Sequence, residues 1–125
     1  MEKKPIQTAN APAAIGPYSQ AIDLGEVVFT SGQIPVDPAT GKIPEGVREQ
    51  AEQSLRNVKA ILEAAGTSMD KVIKTTVFIS DMNTFADVNA VYATFFTEPY
   101  PARSCVDVAR LPKDVMLEIE AIALK

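Results

Sequence analysis

The chain has 125 residues, of which 46% are apolar and 22% charged, with a net charge of −4 and no histidine. That balance predicts one globular domain spanning residues 1–125, with a single modest core and no disordered or membrane-spanning segment. It excludes Ser-His-Asp and Cys-His catalysis, paired-histidine ribonuclease chemistry, histidine metal ligation and, with one cysteine, any intrachain disulfide or zinc cluster.

Lysines and arginines are scattered singly, so the acidic chain lacks the basic stripe by which nucleic acid is bound. The N-terminus, MEKKPIQTANAPAAIG, has no signal-peptide core, and a lone thiol suits a reducing compartment. A cytoplasmic location is expected.

The segment up to Pro17, rich in Pro, Ala and Asn, reads as an irregular arm with one short edge strand near Ile6. Tyr18 to Asp23 and Val27 to Gln33 read as two strands joined by a tight turn at Leu24-Gly25-Glu26. Three prolines and two glycines make Pro35 to Gly46 a loop, with a turn over Asp37 to Gly41. Val47, Ala51, Leu55, Val58, Leu62 and Ala65 then recur at helical spacing, and Gly66 stands where a helix-ending glycine belongs. Val72 to Ser80 is a strand dense in β-branched residues. A second helix, capped by Asp81 or Asn83, is predicted to run to Phe96 with Phe85, Val88, Val91, Tyr92 and Phe95 inward. Pro99 and Pro101 end it.

Two strands close the chain, in PARSCVDVARLPKDVMLEIEA (Pro101 to Ala121). Alternation puts Arg103, Cys105 and Asp107 on one face of the first. In the second, Val115, Leu117, Ile119 and Ala121 share one face, and Met116, Glu118, Glu120 and Ile122 share the other. A guanidinium, a thiol and a carboxylate brought together on such strands can bind a small carboxylate and move a proton.

The order of strands, helix, strand, helix, strands predicts an α+β domain with a single mixed sheet and two helices on one face. Val27, Phe29, Val77, Ile79 and Val106 form too apolar a set for one helical layer to bury. An oligomer joined through the uncovered sheet face is therefore expected.

GPYSQA (Gly16 to Ala21), FTSGQIP (Phe29 to Pro35), EAAG at the helix end, KTTVFISDM (Lys74 to Met82) and PARSCVDVARLP with LEIEA together resemble the Rid family of reactive-intermediate deaminases, most closely its RidA branch. The resemblance spans nearly the whole chain. It implies a chorismate-mutase-like fold, a homotrimer with sites in clefts between subunits, and no cofactor. The implied reaction is hydrolysis of 2-imino acids and their enamines, such as 2-iminobutanoate and 2-iminopropanoate, to 2-oxo acids and ammonia. The small-molecule partners are thus imino and oxo acid carboxylates.

An arginine fork holds a carboxylate bidentately, and Arg103 is assigned that role with the family motif; by spacing alone, an ion pair with Glu118, Glu120 or Asp107 is as good a reading. Glu118 is the candidate proton handler, chosen over Glu120 only by the family pattern. A carboxylate beside Arg103 should have a lowered pKa unless burial opposes it. Cys105 is read as lining the site by side chain or backbone N–H, not as a nucleophile, because no histidine activates it. The family pattern has Tyr18 closing the cleft, and Ser31-Gly32 offering backbone to the ligand. Asn89, which lies outside the Phe85–Val88–Tyr92 stripe, is implied to face the cleft. For each of these there is a plainer reading: a packed aromatic, a β-bulge, a surface asparagine. Asp107 and the Lys113-Asp114 turn read as structural. Two rival functions use the same residues or the same family: a 2-oxo acid-sensing module built on Arg103, and a ribonuclease or translation inhibitor, against which the missing histidines and the acidic balance both argue.

Overall fold

A computed structural model describes all 125 residues. One six-stranded sheet carries the fold: β1 (Lys4–Ile6), β2 (Ala21–Asp23), β3 (Val27–Thr30), β4 (Val72–Ile79), β5 (Ala102–Asp107) and β6 (Leu117–Leu124), in the order β1-β2-β3-β6-β4-β5. All neighbours are antiparallel except β4 and β5. A parallel pair needs a crossover connection, and α2 (Phe85–Tyr92) supplies it. The other helix, α1 (Val47–Ala64), links β3 to β4.

Both helices cover the same sheet face. Val28, Thr75, Val77, Ile79, Leu117, Ile119, Ala121 and Ala123 are buried, while the residues alternating with them are half-buried or exposed. Against them pack Ala51, Leu55, Val58 and Leu62 of α1, from the stripe that the helical spacing marks out, together with Ile61. The helix stops as expected at Gly66, whose φ of +87° places it in the left-handed region. There the Thr67 N–H bonds to the Leu62 carbonyl and the Gly66 N–H to that of Glu63, which satisfies carbonyls the helix leaves open.

The edge strand near Ile6 and the Asp37–Gly41 turn are present. The first two core strands are shorter than their patterns predict, and Tyr18 to Gln20 lie outside β2. Gln20 is instead committed to the arm: it accepts from the Thr8 N–H and donates to the carbonyls of Thr8 and Pro12. The second helix also stops early, at Tyr92 rather than Phe96. Its last bonds shorten to i→i+3, and the Thr94 hydroxyl donates to the Val91 carbonyl. Asp81 does cap the start, accepting from the Asn83 N–H ahead of a single 3₁₀ turn that feeds α2.

The apolar set named for the bare face divides. Val77 and Ile79 lie beneath the helices, whereas Phe29 and Val106 are 42% exposed on the far side. Ile22, Phe78 and Ile122 share that side with Glu118 and Glu120, as the cross-strand register requires. One whole face of the sheet, largely apolar, is thus without a covering layer.

Candidate active site

The sheet register decides where the candidate residues go. Arg103 and Ala121 are both register partners of Thr75, a buried residue of the helix-covered face. Glu118 and Val106 both pair with Phe78 on the open face. Within one chain, therefore, Arg103 and Glu118 project from opposite faces of the sheet. Strand alternation thus does not bring the guanidinium and the carboxylate together within one chain.

Two groups result. Arg103, Cys105 and Asn89 form the first, at the β5 edge beneath α2. The Arg103 Nη1 donates to Asn89 Oδ1 at 2.8 Å, and its guanidinium lies 4.7 Å from the Tyr92 ring centroid and 5.4 Å from that of Phe85. Asn89 thus joins the Phe85–Tyr92 side of the helix rather than standing apart, as i, i+4, i+7 spacing allows. None of Glu118, Glu120 and Asp107 pairs with Arg103, and no carboxylate lies within ion-pair distance of it. Asp107 accepts from the Met82 N–H instead, and Asp114 pairs with Arg110. Cys105 is half-buried; burial pushes its thiol pKa up against the opposing pull of Arg103, which suits a neutral lining group and not a thiolate.

Glu118 and Gly32 form the second group, with Ser31 beside Gly32 in the chain and Tyr18 lining a groove with Gly32 that Glu118 does not reach. Gly32 is a glycine for a steric reason: a Cβ there would overlap the Glu118 carboxylate, with the carboxyl carbon at 2.8 Å and Cγ at 3.0 Å. The close approach expected of this glycine is thus to a side chain of its own fold. Gln33 and Ile119 exchange backbone hydrogen bonds, which locks the two segments side by side. The Gly32 N–H makes no hydrogen bond within the chain and remains a donor. Ser31 has spent both donors, its hydroxyl on the Ser19 carbonyl at 2.6 Å and its N–H on that of Gln20. Tyr18 is half exposed and, with Gly32, lines the mouth of a groove of about 810 Å³ between the N-terminal arm and the loop after β3. Arg103 does not line that groove.

Glu118 has a raised pKa, through burial first and the neighbouring Glu120 second. The lowering expected from Arg103 does not occur, because the guanidinium is on the other face. No cluster of His, Cys, Asp or Glu is arranged to hold a metal ion.

A family profile described as Endoribonuclease L-PSP matches residues 8–125. The chain belongs to this family, the Rid family. It is 65% identical to the 2-iminobutanoate/2-iminopropanoate deaminase of Salmonella typhimurium, over 98% of each protein. It is 64% identical over 98% of each to the putative reactive intermediate deaminase TdcF of Escherichia coli. Crystalline E. coli TdcF with bound serine superposes with a TM-score of 0.95 at 62% identity, covering 98% of this chain and 99% of that one. The single mixed sheet with two helices is accordingly the Rid architecture.

Sequence reasoning missed Phe85 and Tyr92 as neighbours of Arg103. Their spacing with Asn89 carries the signal, but which strand lies under that helix face is not written in the spacing.

Proposed function

We propose that this chain is a 2-iminobutanoate/2-iminopropanoate deaminase, hydrolysing short 2-imino acids and their enamine tautomers to 2-oxo acids and ammonia. The carrying observation is Arg103: a cation fixed by two rings and Asn89, with no carboxylate of its own chain and most of its donors free. Every substrate of this reaction brings the missing carboxylate, and a guanidinium fork binds it bidentately. That a relative with 62% identity has been crystallised with serine, an acid of similar size, supports the reading.

Glu118 is the proton carrier. As water oxygen bonds to C2, Glu118 takes a water proton and the C=N electron pair moves to nitrogen. The same proton is then delivered to that nitrogen to give an amino group. The hydroxyl proton passes to the amino group as the C–N bond breaks with its electron pair going to nitrogen, and ammonia leaves a 2-oxo acid. Water is the only co-reactant, so no cofactor is required. Within one chain, burial and Glu120 raise the Glu118 pKa toward the range suited to both transfers, a rise that the neighbouring chain's Arg103 opposes in the shared site. The free Gly32 N–H orients the ligand or the water, Cys105 lines the wall, and Tyr18 closes the mouth.

Because Arg103 and Glu118 leave opposite sheet faces, one site needs two chains. A head-to-tail interface repeats around a closed ring and sets the Arg103 edge of one copy against the open face of the next. The chorismate-mutase-like homotrimer is the arrangement this reading adopts, with the apolar face of Phe29, Val106 and Ile122 inside. The test is a coupled assay in which a dehydratase makes 2-iminobutanoate from threonine. Arg103→Ala should weaken 2-oxobutanoate binding. Glu118→Gln should stop deamination yet leave that binding within about threefold, since it removes only a group worth roughly 10²–10⁴ in rate. A Glu118→Gln protein of undiminished activity would overturn the role given to Glu118, and a wild-type protein that binds 2-oxobutanoate without speeding deamination would favour a 2-oxo acid-sensing module instead.

A further inference from the structure

Arginine side chains are long and floppy, yet Arg103 rests on a platform that is itself fixed. Tyr92, 6% exposed, lies under the guanidinium; its hydroxyl shares a 2.7 Å hydrogen bond with Thr75, and its ring packs 4.5 Å from that of Phe96. Thr75, 1% exposed, is the register partner of Arg103 on the adjoining strand. The ring is therefore fastened at its hydroxyl end to the strand beside the one that carries Arg103, and packed against Phe96. A cation over a ring is drawn to the negative π face, which here holds the guanidinium 4.7 Å from the Tyr92 centroid. Asn89 takes one N–H, which leaves the remaining donors in a set direction.

We infer that Tyr92 is the positioning residue for the carboxylate clamp: its aromatic face, held by Thr75, pre-orients the Arg103 guanidinium so that substrate binding need not order it. The inference rests on the deaminase reading, in which Arg103 grips the substrate carboxylate. A purely structural Tyr92 would fill space and satisfy Thr75, and only its volume and hydroxyl would matter. A platform depends on the electrons of the ring. The two roles part when the ring is altered without changing its size.

The experiment incorporates phenylalanine carrying zero, one, two or three ring fluorines at position 92, in a Thr75→Val background so that no buried hydroxyl is left alone. Each fluorine drains the π face while the volume stays nearly constant. The readouts are the 2-oxobutanoate dissociation constant by calorimetry, and KM and kcat in the coupled assay. The unfluorinated protein, which lacks the Thr75 hydrogen bond and so binds somewhat more weakly than wild type, is the reference for the series. From it affinity should fall stepwise to about fivefold weaker at three fluorines, with KM rising in parallel and kcat held within about twofold. A flat series would overturn the inference, as would a loss confined to kcat. Arg103→Ala is assayed alongside. If it leaves 2-oxobutanoate binding intact, the deaminase site itself is misassigned; if it abolishes binding while the fluorine series is flat, only the platform fails.

Discussion

Replacing Gly32 by alanine separates the chemistry of this site from its stability. A methyl group there would overlap a Glu118 carboxylate oxygen and stand 2.8 Å from the carboxyl carbon, where ordinary contacts begin near 3.4 Å. The carboxyl carbon must retreat by about 0.6 Å, and the oxygen, at the end of the lever, by more than about 1 Å. What yields is the far end of a flexible side chain, so the cost is that of an off-rotamer torsion, about 0.5–1.5 kcal/mol, or a few degrees in Tm. Catalysis is less tolerant, because a misplacement of about 1 Å can lower a rate by about 10²-fold. Gly32→Ala should therefore be folded, should bind 2-oxobutanoate through Arg103, and should be about 10²-fold slower in the threonine dehydratase-coupled assay. Activity within threefold of wild type would refute the placement of Glu118 against Gly32 as the working geometry. A collapse of the fold would refute the reasoning on cost.

Burial and Glu120 raise the Glu118 pKa, so activity should fall as pH drops through that raised value; Glu120→Gln should move the acid limb of the kcat/KM profile to lower pH, by the minor share that Glu120 contributes. The same shift means that the Glu118 carboxylate opposes folding: its favourable contribution is complete below the unfolded pKa and is lost as pH rises through the folded one. Glu118→Gln should accordingly raise Tm at pH 7, read by calorimetry, while it stops turnover. At the other end of the sheet, buried Asp23 pairs with Lys125 at 2.5 Å, and that hydrogen bond, with one from the Gly25 N–H, lowers the Asp23 pKa. Such a group stabilises above its unfolded pKa and loses that contribution as pH falls through its folded one. Lys125→Ala should therefore lower Tm more at pH 7 than near pH 3, where a constant difference would count against the pair.

Much of the frame was legible because its signals are local. The α1 stripe from Val47 to Ala65, the Gly66 stop, the Asp81 cap and the alternation in β6 each depend on near neighbours in the chain. Helix α2 ended early because its last residues turn to side-chain and i→i+3 bonds, which spacing does not encode. Of the candidate site, which residues share a strand face was legible, and which sheet face each strand turned to the helices was not. Alternation correctly put Arg103 with Cys105 and Glu118 with Glu120. Which faces these were depended on β6 entering the sheet between β3 and β4 while β5 took the outer edge. That is a long-range choice, and it puts the cation and the carboxylate on opposite faces. The absence of the lowering expected from Arg103 has the same origin, and leaves burial and Glu120 to raise the Glu118 pKa.

The claim that one active site draws Arg103 from one chain and Glu118 from the next is tested most directly by mixing two inactive proteins. Arg103→Ala and Glu118→Gln chains, refolded together in equal amounts, assemble at random around the ring. An interface is whole when an intact Arg103 meets an intact Glu118 on its neighbour, which happens about once in four. The mixture should regain about a quarter of the wild-type deaminase rate, although each variant alone has almost none. A mixture no more active than its two components, with mixed assemblies demonstrated by native mass spectrometry, would contradict the shared site.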